Sequence, residues 1–354
     1  LTRDKESGKY YETYNHAVGT KTDPGSTFKL ASLMALLEDG KVSITDSVKA
    51  VGKYEFYEHI IEDTNPWGYG KITVQRAFEV SSNVFSKIVN QAYYSDEQKF
   101  IDRLKSFRLG SKAQVDIAGE PMPVLKNRGE DGWSGITLPQ MAIGYEVELT
   151  PIQTLAFYNA VANNGQYVKP QFVKEVRRDG KVIEKFEKVV LKEQICSDET
   201  LESLKLCLKG VVKNGTGKNL RSTNFEIAGK TGTAKLVDAS AGTYSNSYQA
   251  SFAGYFPADE PKYSCIVVIA GPTKQIYGAQ VSGTVFASIA NKVYSSSLEY
   301  HPNYNGIPEL ASTQPKVKAG DASETAIALN RIGIKYKDNA PQANYVVAQK
   351  QEGD

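Results

Sequence analysis

Ser26-Thr27-Phe28-Lys29, Ser81-Ser82-Asn83 and Lys230-Thr231-Gly232-Thr233 together hold a hydroxyl nucleophile, two amines and an amide, the groups an acyl transfer needs. Histidine takes no part, because His16, His59 and His301 are the only ones and none lies near a motif in the sequence. Pro24-Gly25 breaks the chain just ahead of Ser26, which puts the serine in the first turn of a helix. Residues three apart share a helical face, so the Lys29 amine can reach the Ser26 hydroxyl. The helix N-terminus favours negative charge at that oxygen. A serine hydroxyl needs a base, and lysine serves only when neutral. From a reference pKa of about 10.4, the neutral form costs roughly 4.6 kcal/mol at pH 7. Burial and a second cation lower that cost, and Lys230 is the candidate cation. A composition like this yields about two or three Ser-x-x-Lys matches by chance. This chain has one, and it stands at a helix start.

Ser81-Ser82-Asn83 falls in a tight connection between two helical patterns. Ser81 can relay a proton between Lys29 and a leaving amine, and Asn83 offers a donor and an acceptor to a substrate amide. Plain helix capping by Ser82 or Asn83 is the competing reading. Ser222-Thr223-Asn224 repeats the pattern, but it lies just ahead of a strand and reads as a loop. Lys230 to Thr233 lie in a strand, where alternation puts Thr231 and Thr233 on one face and Lys230 on the other side or the rim. Gly232 removes bulk, so a substrate backbone can lie along the strand edge. Threonine hydroxyls and an ammonium here make a carboxylate site. The backbone N–H groups of Thr233 and Ser26 can form an oxyanion hole, worth about 3–4 kcal/mol per donor.

The elements that position these groups are legible in the apolar spacing. Leu30, Leu33, Met34 and Leu37 predict a buried helix after Ser26, ending before Gly40. Thr73 caps a short helix through Phe78; Val84, Ile88 and Tyr94 mark the next, and Phe100, Leu104 and Phe107 another. Thr150-Pro151 starts a helix, followed by strands Tyr167–Val176 and Val182–Val190 joined at Asp179-Gly180. Ser197 opens a helix with Leu201, Leu204 and Leu208, then strands follow at Phe225–Lys235, Tyr248–Phe256 and Tyr263–Ala270, and a helix at Ala279–Val293. The class is α+β: an antiparallel sheet flanked by helices, plus an all-helical subdomain. From Glu299 the composition turns to a linker, and Asp321–Ile334 reads as a small helix running into a short strand.

The 354 residues carry a net charge of +2 with basic residues scattered, which argues against a nucleic-acid or membrane-binding patch. Three cysteines, Cys196, Cys207 and Cys265, lack zinc spacing; single buried thiols are expected, with a Cys196–Cys207 bridge the alternative. The longest apolar stretch, Cys265–Ala270, is a strand's length, and no signal peptide opens the chain. The abrupt start at Leu1 gives the expectation that an anchor has been removed.

The ordered triplet matches the pattern of penicillin-binding proteins and related serine β-lactamases. Pro24-Gly25-Ser26-Thr27-Phe28-Lys29, Gly144-Tyr145, Thr150-Pro151-Ile152-Gln153, Ala162-Asn163-Asn164-Gly165 and Ser251-Phe252-Ala253-Gly254-Tyr255-Phe256-Pro257 resemble class B penicillin-binding proteins, most closely the division-type (FtsI-like) septal enzymes. The resemblance implies a peptidoglycan D,D-transpeptidase with no cofactor and no metal. Its substrates are stem peptides ending in D-Ala-D-Ala, and β-lactams inhibit it. Ser26 is the implied nucleophile, Lys29 the base and Ser81 the relay. Asn83 is the amide clamp, and Lys230, Thr231, Gly232 and Thr233 form the carboxylate and oxyanion side. It implies the cell envelope, outside the inner membrane, with glycosyltransferase and divisome partners. The expected domains are 1–298, the transpeptidase domain lacking its first strand; 299–314, a linker; and 315–354, a small segment, either faintly similar to a PASTA module or a linker-like subdomain. The alternatives are a class D-type β-lactamase, a D,D-carboxypeptidase and a non-catalytic β-lactam sensor. A class A β-lactamase is disfavoured, because no Glu-x-x-x-Asn occurs from Asn83 to Lys230.

Overall fold

In the computed structural model, which describes residues 1–4, 6–238, 243–297 and 320–347, the Ser26 segment opens as one 3-10 turn, Gly25–Phe28. It runs into helix α1, Lys29–Glu38. Leu30, Leu33, Met34 and Leu36 are fully buried, so α1 passes through the core rather than over it. Four short strands follow: β1 (Ser47–Ala50), β2 (Lys53–Phe56), β3 (His59–Glu62) and β4 (Gly70–Thr73). β1 pairs with β4 and β2 with β3, all antiparallel. Tyr54, Phe56 and Ile61 point into the core while their charged neighbours face out.

Thr73 caps α2 (Val74–Glu79) by accepting from the Arg76 N–H at 3.0 Å. α3 (Val84–Tyr93) and α4 (Glu97–Ser106) complete the helical part around α1. α5 (Pro151–Ala162) starts with a full capping box between Thr150 and Gln153, with Pro151 in the first turn. The two long strands expected over 167–190 are four short ones. Tyr167–Val168 pairs with Val190–Lys192, and Glu175–Arg178 with Lys181–Lys185 across Asp179-Gly180. Pro170 lacks the N–H a continuous ladder needs, and a register shift falls between Val176 and Arg177.

α6 (Asp198–Lys213) is capped by Ser197. The principal sheet then forms from β5 (Ala228–Asp238), β6 (Thr243–Phe256) and β7 (Tyr263–Ala270), antiparallel in the order β5-β6-β7, so β5 is an edge. A π turn, Ala279–Gly283, precedes α7 (Thr284–Ser296), which starts five residues later than the apolar pattern predicted. One face of the sheet carries Lys230, Ala253 and Ser264, and packs on α5 and α6; Ser264 Oγ donates to Asn159 Oδ1 of α5 at 2.9 Å. The opposite face packs Phe252 and Phe256 against Phe286 of α7, ring centroids 4.7 and 5.8 Å apart. The α+β expectation holds.

The described residues divide into two compact units, Leu1–Val293 and Tyr294–Asp354. The linker expected over 299–314 lies outside the described residues. In the second unit Asp321 caps a helix, Ala322–Arg331, and Gly320–Asp321 pairs with Tyr345–Val346. No strand forms near Ile334. Gly333, at φ +74°, ends the helix, and the Ile334 N–H turns back to the Leu329 carbonyl. Cys196, Cys207 and Cys265 are all free, so the alternative bridge is not formed.

Candidate active site

The Ser26 turn is held from three sides. Gly25 adopts φ +55°, and a Cβ there would lie 2.9 Å from the Ala234 Cβ, so the turn rests directly on β5. Its N–H donates to the Gly144 carbonyl at 3.0 Å. Gly144 must also be glycine, since a Cβ would sit 2.1 Å from the Gly25 oxygen. Thr27 Oγ1 donates to the Pro24 carbonyl at 2.8 Å, and the buried Tyr158 hydroxyl of α5 donates to the Thr27 carbonyl at 2.8 Å. Ser26 itself is only partly covered.

Lys29 and Lys230 are both fully buried. Lys29 Nζ donates to the Ser81 carbonyl and to Asn83 Oδ1, each at 2.7 Å, with Ser81 Oγ at 3.4 Å. Lys230 Nζ donates to Ser81 Oγ at 2.8 Å and to the Thr231 carbonyl at 3.1 Å. One hydroxyl thus stands between two amines. Ser81 reaches that position at φ +58°, where the chain turns left-handed out of α2, a conformation costing a non-glycine residue about 1–2 kcal/mol. The expected hydrogen bond from Ser26 to Lys29 is not made among the described residues. The amine donates instead to a carbonyl and an amide oxygen of the Ser81–Asn83 segment.

The remaining motif residues divide as strand alternation dictates. Thr231 Oγ1 pairs with Thr216 Oγ1 at 2.7 Å, and Thr233 Oγ1 accepts from the Gly278 N–H at 3.2 Å, so neither threonine hydroxyl joins Lys230. Gly232 is packed closely. A Cβ there would lie 2.2 Å from Ser251 Oγ, 3.0 Å from Thr27 Cγ2 and 3.3 Å from the Pro24 oxygen. Its missing side chain admits the Ser26 turn. Asn83 donates from Nδ2 to the Glu62 carbonyl at 2.7 Å; one amide hydrogen and one lone pair on Oδ1 stay free for another amide.

These features agree with the similarities found. The penicillin-binding protein transpeptidase domain family matches residues 2–291. The chain belongs to that family. Its relatives place it with the class B penicillin-binding proteins. It is similar to stage V sporulation protein D of Bacillus subtilis, 30% identical over 332 residues, covering 92% of this chain and 49% of that protein. The peptidoglycan D,D-transpeptidase FtsI of Escherichia coli is 28% identical over 282 residues, covering 79% and 45%. The crystal structure of penicillin-binding protein 3 from Mycobacterium tuberculosis complexed with aztreonam superposes with a TM-score of 0.69 at 27% identity, covering 82% of this chain and 66% of that one. The chain spans about half the length of the curated relatives it matches.

Within this penicillin-binding domain, burial dominates the electrostatics. It pulls the Lys29 pKa down to about 7, against a raising influence from Asp63. It holds Lys230 well below the usual lysine range, and the Lys29 charge pushes it further. Of the two influences expected on Lys29, burial and a second cation, burial is the one that acts there, and the repulsion between the amines falls on Lys230. Asp63, Thr216 and Gly278 were missed, since single residues in unremarkable segments carry no motif. Among the described residues, no group of three or more His, Cys, Asp or Glu could hold a metal ion.

Proposed function

We propose that this chain is the catalytic domain of a division-type peptidoglycan D,D-transpeptidase, acting through a Ser26 acyl-enzyme. The observation that carries the proposal is Ser81 Oγ between two buried amines, Lys230 at 2.8 Å and Lys29 at 3.4 Å. A neutral Lys29 has two N–H donors, matched by the Ser81 carbonyl and Asn83 Oδ1, which leaves its lone pair for the Ser26 proton. Ser26 Oγ bonds to the carbonyl of the penultimate D-Ala while its proton passes to Lys29. The oxyanion meets the N–H groups of Ser26 and Thr233. As the C–N bond breaks, Lys29 returns the proton through Ser81 to the departing D-Ala amine. An acceptor amine from a neighbouring stem then attacks the ester carbonyl; the Ser26 Oγ–carbon bond breaks, the amine's proton passes through Lys29 to Ser26 Oγ, and the cross-link forms with Ser26 restored. β5 is the edge of its sheet, where an extended peptide can be added as a further strand.

A carboxylate on the donor peptide meets the Thr231–Thr233 edge, and a β-lactam occupies the same place. The work is done on the extracytoplasmic side, on stem peptides, beside a glycosyltransferase and division proteins. No helix among the described residues is long and apolar enough to cross a membrane. In this scheme residues 1–298 form the catalytic domain and 315–354 an accessory segment.

Incubation with a labelled penicillin, followed by intact mass over hours, tests the proposal. One long-lived adduct is expected, absent in Ser26→Ala. Rapid return to the free mass would indicate a β-lactamase and overturn it. A donor stem with an acceptor amine should yield cross-linked dimers. Hydrolysis alone would mark a carboxypeptidase, and a stable adduct without dimers a sensor.

A further inference from the structure

We propose that Asp63 is a positioning residue for this site, holding the Ser81–Asn83 turn against Lys29 and fixing a negative charge beside that amine. The inference rests on the base role proposed for Lys29. Asp63 directly follows β3 and is 6% exposed. Its own N–H donates to the Gly52 carbonyl at 2.7 Å, which anchors it to the connection between β1 and β2. Oδ2 accepts from Ser82 Oγ at 2.7 Å and from the Tyr54 hydroxyl at 3.2 Å, and Oδ1 accepts from the Asn83 N–H. The adjacent Glu62 carbonyl takes the Asn83 side-chain amide at 2.7 Å. Asn83 is therefore gripped at its backbone and its side chain by two consecutive residues, and its Oδ1 in turn accepts from Lys29.

No ion pair neutralises this carboxylate among the described residues. The charged and titratable groups facing it are Lys29 of α1, with Lys230 of β5 beyond, and the phenols of Tyr54 and Tyr69. A buried negative charge favours the ammonium form of Lys29, opposing desolvation. Removing the charge while keeping the shape should therefore let Lys29 lose its proton at lower pH.

The test compares Asp63→Asn and Ser82→Ala with wild type, measuring acylation by a chromogenic cephalosporin across a pH series. Asp63→Asn should acylate about tenfold more slowly on the plateau, with the acid limb of the profile displaced downward by about one pH unit. Ser82→Ala cuts one tie and keeps the charge, so it should slow acylation severalfold and leave the limb in place. A purely structural role would lower both rates without moving either limb, and that result overturns the proposal. So does a wild-type profile in Asp63→Asn. If Asp63→Asn fails to fold, Ser82→Ala decides: slowed acylation in a folded protein supports the tie, and an unchanged rate refutes it. A wild type that takes up no cephalosporin overturns the Ser26 acylation proposal and this role with it. An acylated wild type beside an indifferent Asp63→Asn overturns this role alone.

Discussion

Gly232→Ala separates two uses of the same missing side chain. The added Cβ would sit 2.2 Å from Ser251 Oγ, a side-chain tip that can rotate away. It would also sit 3.0 Å from Thr27 Cγ2, and ordinary contact begins at 3.4 Å, so Thr27 must retreat by about 0.4 Å. Thr27 has little freedom to do so, since its carbonyl is held by Tyr158 and its hydroxyl by the Pro24 carbonyl. The displacement passes to Ser26, the preceding residue. Misplacing a reacting group by 1 Å costs about a hundredfold in rate; a shift of this size should cost roughly tenfold in acylation by a small β-lactam. Overpacking should cost about 1–3 kcal/mol of stability, a few degrees in Tm for a domain of this size. The assay is stopped-flow acylation beside a thermal melt. Thr27→Ser removes the obstructing methyl and keeps the hydroxyl, so the double variant should regain most of the rate. If Gly232→Ala acylates normally with a small β-lactam yet loses only its peptide donor, the glycine serves substrate and the packing argument fails.

With Lys29 near pKa 7, acylation should climb about tenfold per pH unit well below neutrality and level off above it, because the neutral amine is the competent form. A flat profile from acid to alkaline pH would contradict this. The same depressed pKa makes the unfolded chain bind the extra proton between about pH 7 and the free lysine value near 10.4, so the Lys29 contribution to stability should rise with pH over that window; denaturant midpoints in Lys29→Met beside wild type measure it. Burial pushes the Cys196 and Cys207 thiols up to about 12, so both should resist alkylation in the native state and react in denaturant, as counted by mass.

The parts of the site that could be read from the sequence are those whose chemistry is local. Ser26 and Lys29 share one turn, Ser81 and Asn83 one connection, and Lys230 to Thr233 one strand, so residue type and spacing single them out as candidates. Asp63 touches Asn83 across twenty positions and Thr216 touches Thr231 across fifteen. Neither contact leaves a periodic trace, because it depends on how separate elements dock. The strands β1 to β4 were passed over for a related reason. Each is four residues long, and Lys53, Glu55 and Glu62 on their outer faces break up the apolar signal that Tyr54, Phe56 and Ile61 carry. Lys29 was directed to Ser26 by helical proximity, and tertiary acceptors on the Ser81–Asn83 turn outweighed it.

Burial also explains how a lysine can take the part that histidine takes in other acyl-transfer sites. An exposed lysine at pH 7 is short of its neutral form by roughly 4.6 kcal/mol; a pKa near 7 reduces the shortfall to about 0.4 kcal/mol, since half the molecules are then competent. That gain, about a thousandfold, comes from closing α1, β5 and the Ser81 turn around the amine. Burial alone has no natural stopping point, however. An amine pushed too low is always neutral but too weak a base to take a serine proton. Asp63 acts in the opposite direction from burial. A carboxylate held by Ser82, Tyr54 and Asn83 is thus more than scaffolding, since it stops the descent where availability and basicity are both adequate.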